Sequence, residues 1–211
     1  MSNADMHGMA PDKSPVALLI IDVINDLEFE GAELIGRYIP PMAKRLSELK
    51  HRAKEAKIPV IYANDNYGIW QSNFNKIIDR CLQQNVRGTP LVKLLKPDED
   101  DYFVLKPKHS GFYSTTLEVL LEHLGTRTVI ITGIAGDICV LFTANDAYMR
   151  DYKVYVPSDC CASNEASDND HVLSLMEHIL KADIRPSSEL DLAALITEAE
   201  EEGPGHPAPS D

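Results

Sequence analysis

The chain has 211 residues, a formal net charge of −13 and a sequence pI near 4.9. That length suits one domain around one sizeable core, and a chain this acidic, with no Lys/Arg cluster, excludes the phosphate backbone of nucleic acid and anionic membrane as partners. No apolar run approaches the roughly 20 residues of a membrane span, and no basic segment followed by an apolar one opens the chain, so the expectation is a soluble, cytoplasmic protein. Cys81, Cys139, Cys160 and Cys161 show neither C-x-x-C spacing nor a pattern with His that suggests zinc, so reduced thiols and no cofactor are expected.

Residues 1–14 and 198–211 are polar, rich in Gly and Pro or acidic, and read as disordered ends flanking one domain over 15–197. Within it, apolar runs of strand type alternate with amphipathic stretches. Val16–Ile21 is a strand ending at Asp22, and 39–57 is a helix with Pro40 and Pro41 at its start. Strand 58–63 precedes a helix over 72–84 on which Phe74, Ile77, Ile78 and Cys81 share a face. Strand 102–105 ends at Lys106, and Ser114 to Glu118 offers N-cap hydroxyls, with Thr115 and Glu118 as a capping box for a helix to Leu124. Strand 128–132, helix 139–150, strand 153–156, helix 170–181 and a short sixth strand near 182–184 complete the series. Fully apolar strands alternating with helices imply an α/β fold, Rossmann-like, in which a six-stranded parallel sheet lies between two helical layers.

In such sheets ligands bind outside the carboxyl ends of the strands. Asp22, Lys106 and Cys139 all fall there. A free thiol has a reference pKa of about 8.5 and reacts as the thiolate. Cys139 begins a helix after Gly133-Ile134-Ala135-Gly136-Asp137-Ile138, where free N–H groups and the helix dipole favour negative charge. Lys106 adds a cation, with Lys108 as its rival, and Asp22 offers a proton acceptor. Backbone amides in the glycine-containing turn suit an oxyanion. Each residue alone has a plainer reading, as a turn, a surface lysine or a small buried hydrophobe; their coincidence at strand ends favours acyl chemistry on a small amide.

These segments, Leu-Leu-Ile-Ile-Asp22-Val-Ile-Asn-Asp, Val-Leu-Lys106-Pro-Lys-His-Ser-Gly-Phe and Thr-Gly-Ile-Ala-Gly-Asp-Ile-Cys139-Val-Leu-Phe-Thr-Ala, resemble the isochorismatase-like cysteine hydrolases, which include nicotinamidases and N-carbamoyl amidohydrolases. The resemblance covers about residues 15–190. It implies an Asp22–Lys106–Cys139 triad, preferring Lys106 to Lys108 because His109-Ser110-Gly111-Phe112 follows it. It also implies a cis peptide between Ile134 and Ala135, an oxyanion hole from the amides of Ala135 and Cys139, and a homo-oligomer, dimer or tetramer.

Metal-binding nicotinamidases carry Asp-x-His after the second strand, whereas this chain reads Asn64-Asp65-Asn66-Tyr67-Gly68-Ile69-Trp70. One Asp without His is a poor transition-metal site, so no metal is expected. Asn66, Tyr67, Trp70, Phe112 and Tyr113 are the candidate substrate contacts. The activity expected is cleavage of a C–N bond in a small amide or a carbamoyl or ureido compound through a Cys139 thioester. The alternatives are an inactive binding or scaffold protein, a vinyl ether hydrolase on the same fold, and a redox sensor pairing Cys139 with another thiol.

Overall fold

The strands lie side by side in the order β3-β2-β1-β4-β5, all parallel, in the computed structural model, which describes residues 13–68, 73–83 and 86–201. They are β1 (Val16–Ile21), β2 (Val60–Asp65), β3 (Tyr102–Lys106), β4 (Thr128–Ile134) and β5 (Lys153–Tyr155), and a sixth, β6 (Cys161–Ala162), also pairs with β4. The helices are α1 (Ala32–Gly36), α2 (Ile39–Glu55), α3 (Phe74–Gln83), α4 (Thr89–Leu94), α5 (Leu117–Leu124), α6 (Leu141–Tyr148), α7 (Ala166–Leu180) and α8 (Leu192–Glu201). None of them is long and apolar enough to cross a membrane.

Side chains alternate across a strand, and the two faces of the sheet make two cores. Val16, Leu18, Ile20, Val60 and Tyr62 pack with α2, α3, α4 and α8, whereas Ala17, Leu19, Ile21, Ile61 and Val104 pack with α5, α6 and α7. β1 is buried at every position, as its unbroken apolar run requires of a strand covered on both sides. β3 is an edge strand, and its exposed Phe103 lies at 4.9 Å from the ring of Phe74 on α3. Lys50, buried on α2, reaches Asp101 at 2.7 Å and Asp98 at 3.0 Å, tying that helix to the entry of β3.

Several expectations are corrected. The sixth strand is Cys161–Ala162, because those residues continue the ladder beside β4, while Asp183 makes only an isolated bridge to Tyr155. The Thr115–Glu118 capping box does not form: Thr116 is the N-cap without a side-chain bond, and the Thr115 hydroxyl donates to Gly111 O while accepting from the Leu117 amide. α8 runs into the expected tail, because Ala199 is buried, its carbonyl accepts from Arg127, and Glu198 pairs with Lys153. At the other end Ser14 is buried, its amide bonded to Leu124 O. Helix α4 and the short α1, six and five residues long, were too brief to show a helical period.

The chain departs from β1 toward β2 and β3 on one side and returns to β4 and β5 on the other, so the strand order reverses between β1 and β4. Gly133, paired with Ile21 across that boundary, has φ +115°, and a Cβ there would lie 2.1 Å from Ile21 O. Gly68 has φ +68°, but among the described residues nothing lies within 4 Å of an added Cβ. Gly133→Ala is therefore expected to cost more than ~2 kcal/mol in urea unfolding, from backbone displacement added to the strained φ, and Gly68→Ala about 1 kcal/mol from φ alone. Equal costs would show that β1 and β4 separate readily.

Candidate active site

Crevices for ligands open at the strand-order reversal of a parallel sheet, outside the carboxyl ends. Here that point lies between Asp22, which follows β1, and the turn after β4 that carries Cys139. Lys106 arrives from β3, two strands away. Two strand spacings, roughly 10 Å, separate β3 from β1, and the lysine and aspartate side chains together bridge them, with Nζ 2.8 Å from Asp22 Oδ2. Lys106 is fully buried and Asp22 is 6% exposed. Nζ also donates to Lys108 O at 3.1 Å and to Cys139 Sγ at 3.5 Å. Asp22 and the Cys139 sulfur thus both contact Lys106 Nζ, and the three groups meet there. Of the rival lysines it is Lys106 that enters; Lys108 contributes only its backbone carbonyl and is itself exposed.

Asp22 has φ +53°, in the left-handed region that Asp tolerates better than most residues. Its Oδ1 accepts the Asp65 amide at 2.7 Å, its own amide donates to Ala63 O, and one strand further out the Asn66 amide donates to Lys106 O at 3.1 Å. The end of β2 thus contacts both partners of the ion pair.

The peptide between Ile134 and Ala135 is cis. Beyond it a π-helical turn, Gly136–Val140, leads into α6, so Cys139 sits inside the first turn and not at its start as expected. Three residues without a distinctive sequence signal hold this turn. Asp137 N donates to Ser163 Oγ at 3.1 Å, Ser163 Oγ donates to Asn169 Oδ1 at 2.9 Å, and a Cβ on Gly136 would meet that Asn169 oxygen at 2.3 Å. Thr143 Oγ1 donates to Cys139 O at 2.7 Å and accepts Gly111 N at 3.0 Å, joining the turn to the segment after Lys106.

Burial pushes the Cys139 thiol up to about 12, the Asp22 carboxylate adds to the rise and Lys106 opposes it. Burial also raises Asp22 against the lowering influence of Lys106. For Lys106 burial disfavours the cation, but Asp22, Cys139 and Asp65 outweigh it and its pKa is raised. The resting sulfur is therefore a neutral thiol beside the buried Lys106–Asp22 pair. The thiolate expected at the helix start is not formed in advance, because the dipole and Lys106 act on a sulfur that faces Asp22 and is largely removed from water.

Of the other candidates, Asn66 is buried with its Oδ1 accepting Gly68 N at 2.8 Å, and Tyr67 is 40% exposed with its hydroxyl donating to Ile24 O at 3.1 Å. Tyr113 is exposed. Phe112 is corrected: it is buried in the core beneath α5 and α6, its ring 4.9 Å from the Arg150 guanidinium and 5.9 Å from Tyr152. Its place in an apolar core face was masked by its closeness to Lys106 in sequence. Trp70 lies outside the described residues. His109, quoted only as part of a motif, places Nδ1 4.0 Å from Cys139 Sγ, with its ring 5.5 Å from Phe142.

The profile of the isochorismatase domain matches residues 16–184. The chain belongs to the isochorismatase family. It is 44% identical over 178 residues, 84% of this chain and 97% of the relative, to an uncharacterized isochorismatase family protein, YaaI, of Bacillus subtilis. It is 30% identical over 176 residues, 72% of this chain and 71% of the relative, to the ureidoacrylate amidohydrolase RutB of Methylorubrum extorquens. The N-carbamoylsarcosine amidase of Thermoplasma acidophilum shares the fold, with a TM-score of 0.63 at 23% identity over 83% of this chain and 98% of that one.

In this isochorismatase-family chain a transition metal at the end of β2 would find few donors. Asp65 Oδ1 is engaged by the Tyr67 amide at 2.5 Å, and no His occurs between residues 61 and 80. Asp98, Asp100 and Asp101 do bring three carboxylates together among the described residues, but at the start of β3, where Lys50 and Lys54 pair with them.

The thiol's environment makes a prediction free of any substrate. With its pKa raised, Cys139 is expected to react slowly with iodoacetamide at pH 8. Asp22→Asn removes the anion that raises the pKa and leaves Lys106, which lowers it, so the reaction should quicken by about tenfold or more. Mass spectrometry of the labelled peptide reads the rate, and a slower reaction in Asp22→Asn would contradict this electrostatic account.

Proposed function

We propose that this protein is a metal-independent cysteine hydrolase that cleaves a C–N bond of a small amide or a carbamoyl or ureido compound, with Cys139 as nucleophile. The observation that carries the reading is the contact of Cys139 Sγ with Lys106 Nζ at 3.5 Å while that same Nζ holds Asp22 at 2.8 Å. RutB, a relative with a named activity, is an amidohydrolase, which agrees with hydrolysis of non-peptide C–N bonds in general.

The reaction follows from charge. Asp22 takes the thiol proton, so one negative charge passes from oxygen to sulfur while Lys106 remains beside both. No new uncompensated charge arises inside the protein, which is the costly event in a buried site. The thiolate adds to the carbonyl carbon, and the amides of Ala135 and Cys139 receive the oxyanion. Asp22 then returns its proton to the leaving nitrogen and the C–N bond breaks, leaving a Cys139 thioester. Water, deprotonated by Asp22, hydrolyses that thioester and the sulfur regains a proton.

In this reading Asn66, Tyr67, Trp70 and Tyr113 contribute to the substrate pocket. All four cysteines are free, and the side chains placed against the Cys139 sulfur are Lys106 at 3.5 Å and His109 at 4.0 Å, which favours the hydrolase over a redox sensor. The free thiols accord with a reducing, cytoplasmic setting. Assembly as a dimer or tetramer completes the proposal; Val119 on α5, Phe142 and Met149 at α6 and Ile179 on α7 are exposed apolar side chains available to it.

The test is a screen of amides, ureido acids and carbamoyl amino acids by ammonia release, with and without EDTA. Cys139→Ala is expected to abolish turnover of any substrate found while the thermal melt stays within a few degrees, and EDTA is expected to leave the wild-type rate unchanged. Asp22→Asn should lose about 10²- to 10⁴-fold in kcat, the usual worth of a positioned proton acceptor, although its thiol alkylates faster. Full turnover by Cys139→Ala would falsify the nucleophile assignment, and absence of turnover across the screen would favour a binding or scaffold role.

A further inference from the structure

We infer that Asn64 is a positioning residue for the proton acceptor: its side-chain amide clamps the segment after β1 and so sets where Asp22 stands relative to the Cys139 sulfur. The inference rests on the reading of Asp22 as the group that takes the thiol proton.

Asn64 lies one residue before the end of β2 and is fully buried. Its Oδ1 accepts Ile24 N at 3.1 Å and its Nδ2 donates to Ile24 O at 3.0 Å. Both main-chain groups of one residue are thus satisfied by one side chain, as a neighbouring strand would satisfy them. The need arises because β1 ends at Ile21 and Asp22 turns into the left-handed region. Ile24, also fully buried, has then left the ladder with an amide and a carbonyl to satisfy. An amide side chain is the one neutral group that accepts and donates at once at this spacing. Tyr67 adds a second donor to Ile24 O at 3.1 Å.

Asp22 is held between two such attachments. Behind it, its amide continues the ladder to Ala63 O; ahead of it, two residues on, Ile24 is fixed by Asn64. Its carboxylate has little freedom between them, and the Asp65 amide and Lys106 complete its surroundings. If the clamp opens, Asp22 gains freedom to move away from the sulfur, while Lys106 keeps its bond to Lys108 O. The titratable groups facing Cys139 are Asp22, Lys106 and His109, and the last two are carried by β3 and the segment after it, not by the clamped segment.

The experiment uses Asn64→Ala and Tyr67→Phe in the full chain, reading iodoacetamide labelling of Cys139 at pH 8 alongside the thermal melt. Asn64→Ala is expected to label about tenfold faster, equivalent to a fall of roughly one unit in the thiol pKa, and Tyr67→Phe to move the same way by less. With a substrate in hand, kcat of Asn64→Ala should fall at least tenfold with KM within threefold, the pattern of a lost proton acceptor and not of lost binding. A lowered melt with wild-type or slower labelling in both variants overturns the inference and leaves Asn64 a purely structural residue. If Asn64→Ala does not fold, Tyr67→Phe decides alone, unchanged labelling overturning it. The labelling rate needs no turnover, so it decides this point even if the amide screen fails.

Discussion

The rest of the molecule is arranged around the buried contact between Lys106 and Asp22. An ammonium and a carboxylate removed from water repay their desolvation only when geometry and additional hydrogen bonds are good. Here Lys106 is fully buried, its Nζ reaches Asp22 Oδ2 at 2.8 Å, and it holds two further contacts, Lys108 O and the Cys139 sulfur. Asp22 in turn accepts the Asp65 amide. Apolar residues of similar volume would usually serve stability as well. A pair of this kind is better explained by what it makes possible, a sulfur that can accept negative charge without leaving that charge alone.

The fold supplies the span this contact needs. Asp22 and Lys106 stand at the ends of strands separated by β2, and their two side chains together bridge the gap. The end of β2 beneath that crossing is occupied on every side: the Asp65 and Asn66 amides address the acid and the lysine strand, and the Asn64 amide holds the loop beyond the acid. On the other side of β1 the π-helical turn carrying Cys139 is fastened by Ser163, Asn169 and Thr143. Each component of the site is therefore fixed by a neighbour from a different strand or helix. That division suits chemistry in which a proton moves between two groups that must keep their separation.

The electrostatics also separate two ideas that a cysteine at a helix start tends to merge. Helix position and a nearby lysine favour a thiolate, yet burial and the facing Asp22 carboxylate push the Cys139 thiol upward. A neutral resting thiol is protected from adventitious alkylation and oxidation, since the thiolate is the reactive form in both. In the proposed mechanism it is activated only when its proton has somewhere to go, which makes the acid as much a part of the nucleophile as the sulfur.

Much of this was legible along the chain. The limits of β1, the parallel α/β arrangement, and the placing of Asp22, Lys106 and Cys139 at strand ends follow from local signals: apolar runs, their alternation with helices, and the polar residues that end them. Other features were not legible. The strand order between β1 and β4, the use of Cys161–Ala162 as the sixth strand, the burial of Phe112 beneath α5 and α6, and the roles of Asn64, Ser163 and Asn169 depend on partners far away in sequence, such as Ile24 for Asn64 at 40 residues and Asp137 for Ser163 at 26, or on which face a loop residue meets. The sign of the shift on Cys139 belongs with them. Periodicity and chemical type determined which residues reach the edge of the sheet. Tertiary structure decided how deeply they are buried and what each one faces, because desolvation and hydrogen bonding are set by neighbours that sequence order does not place.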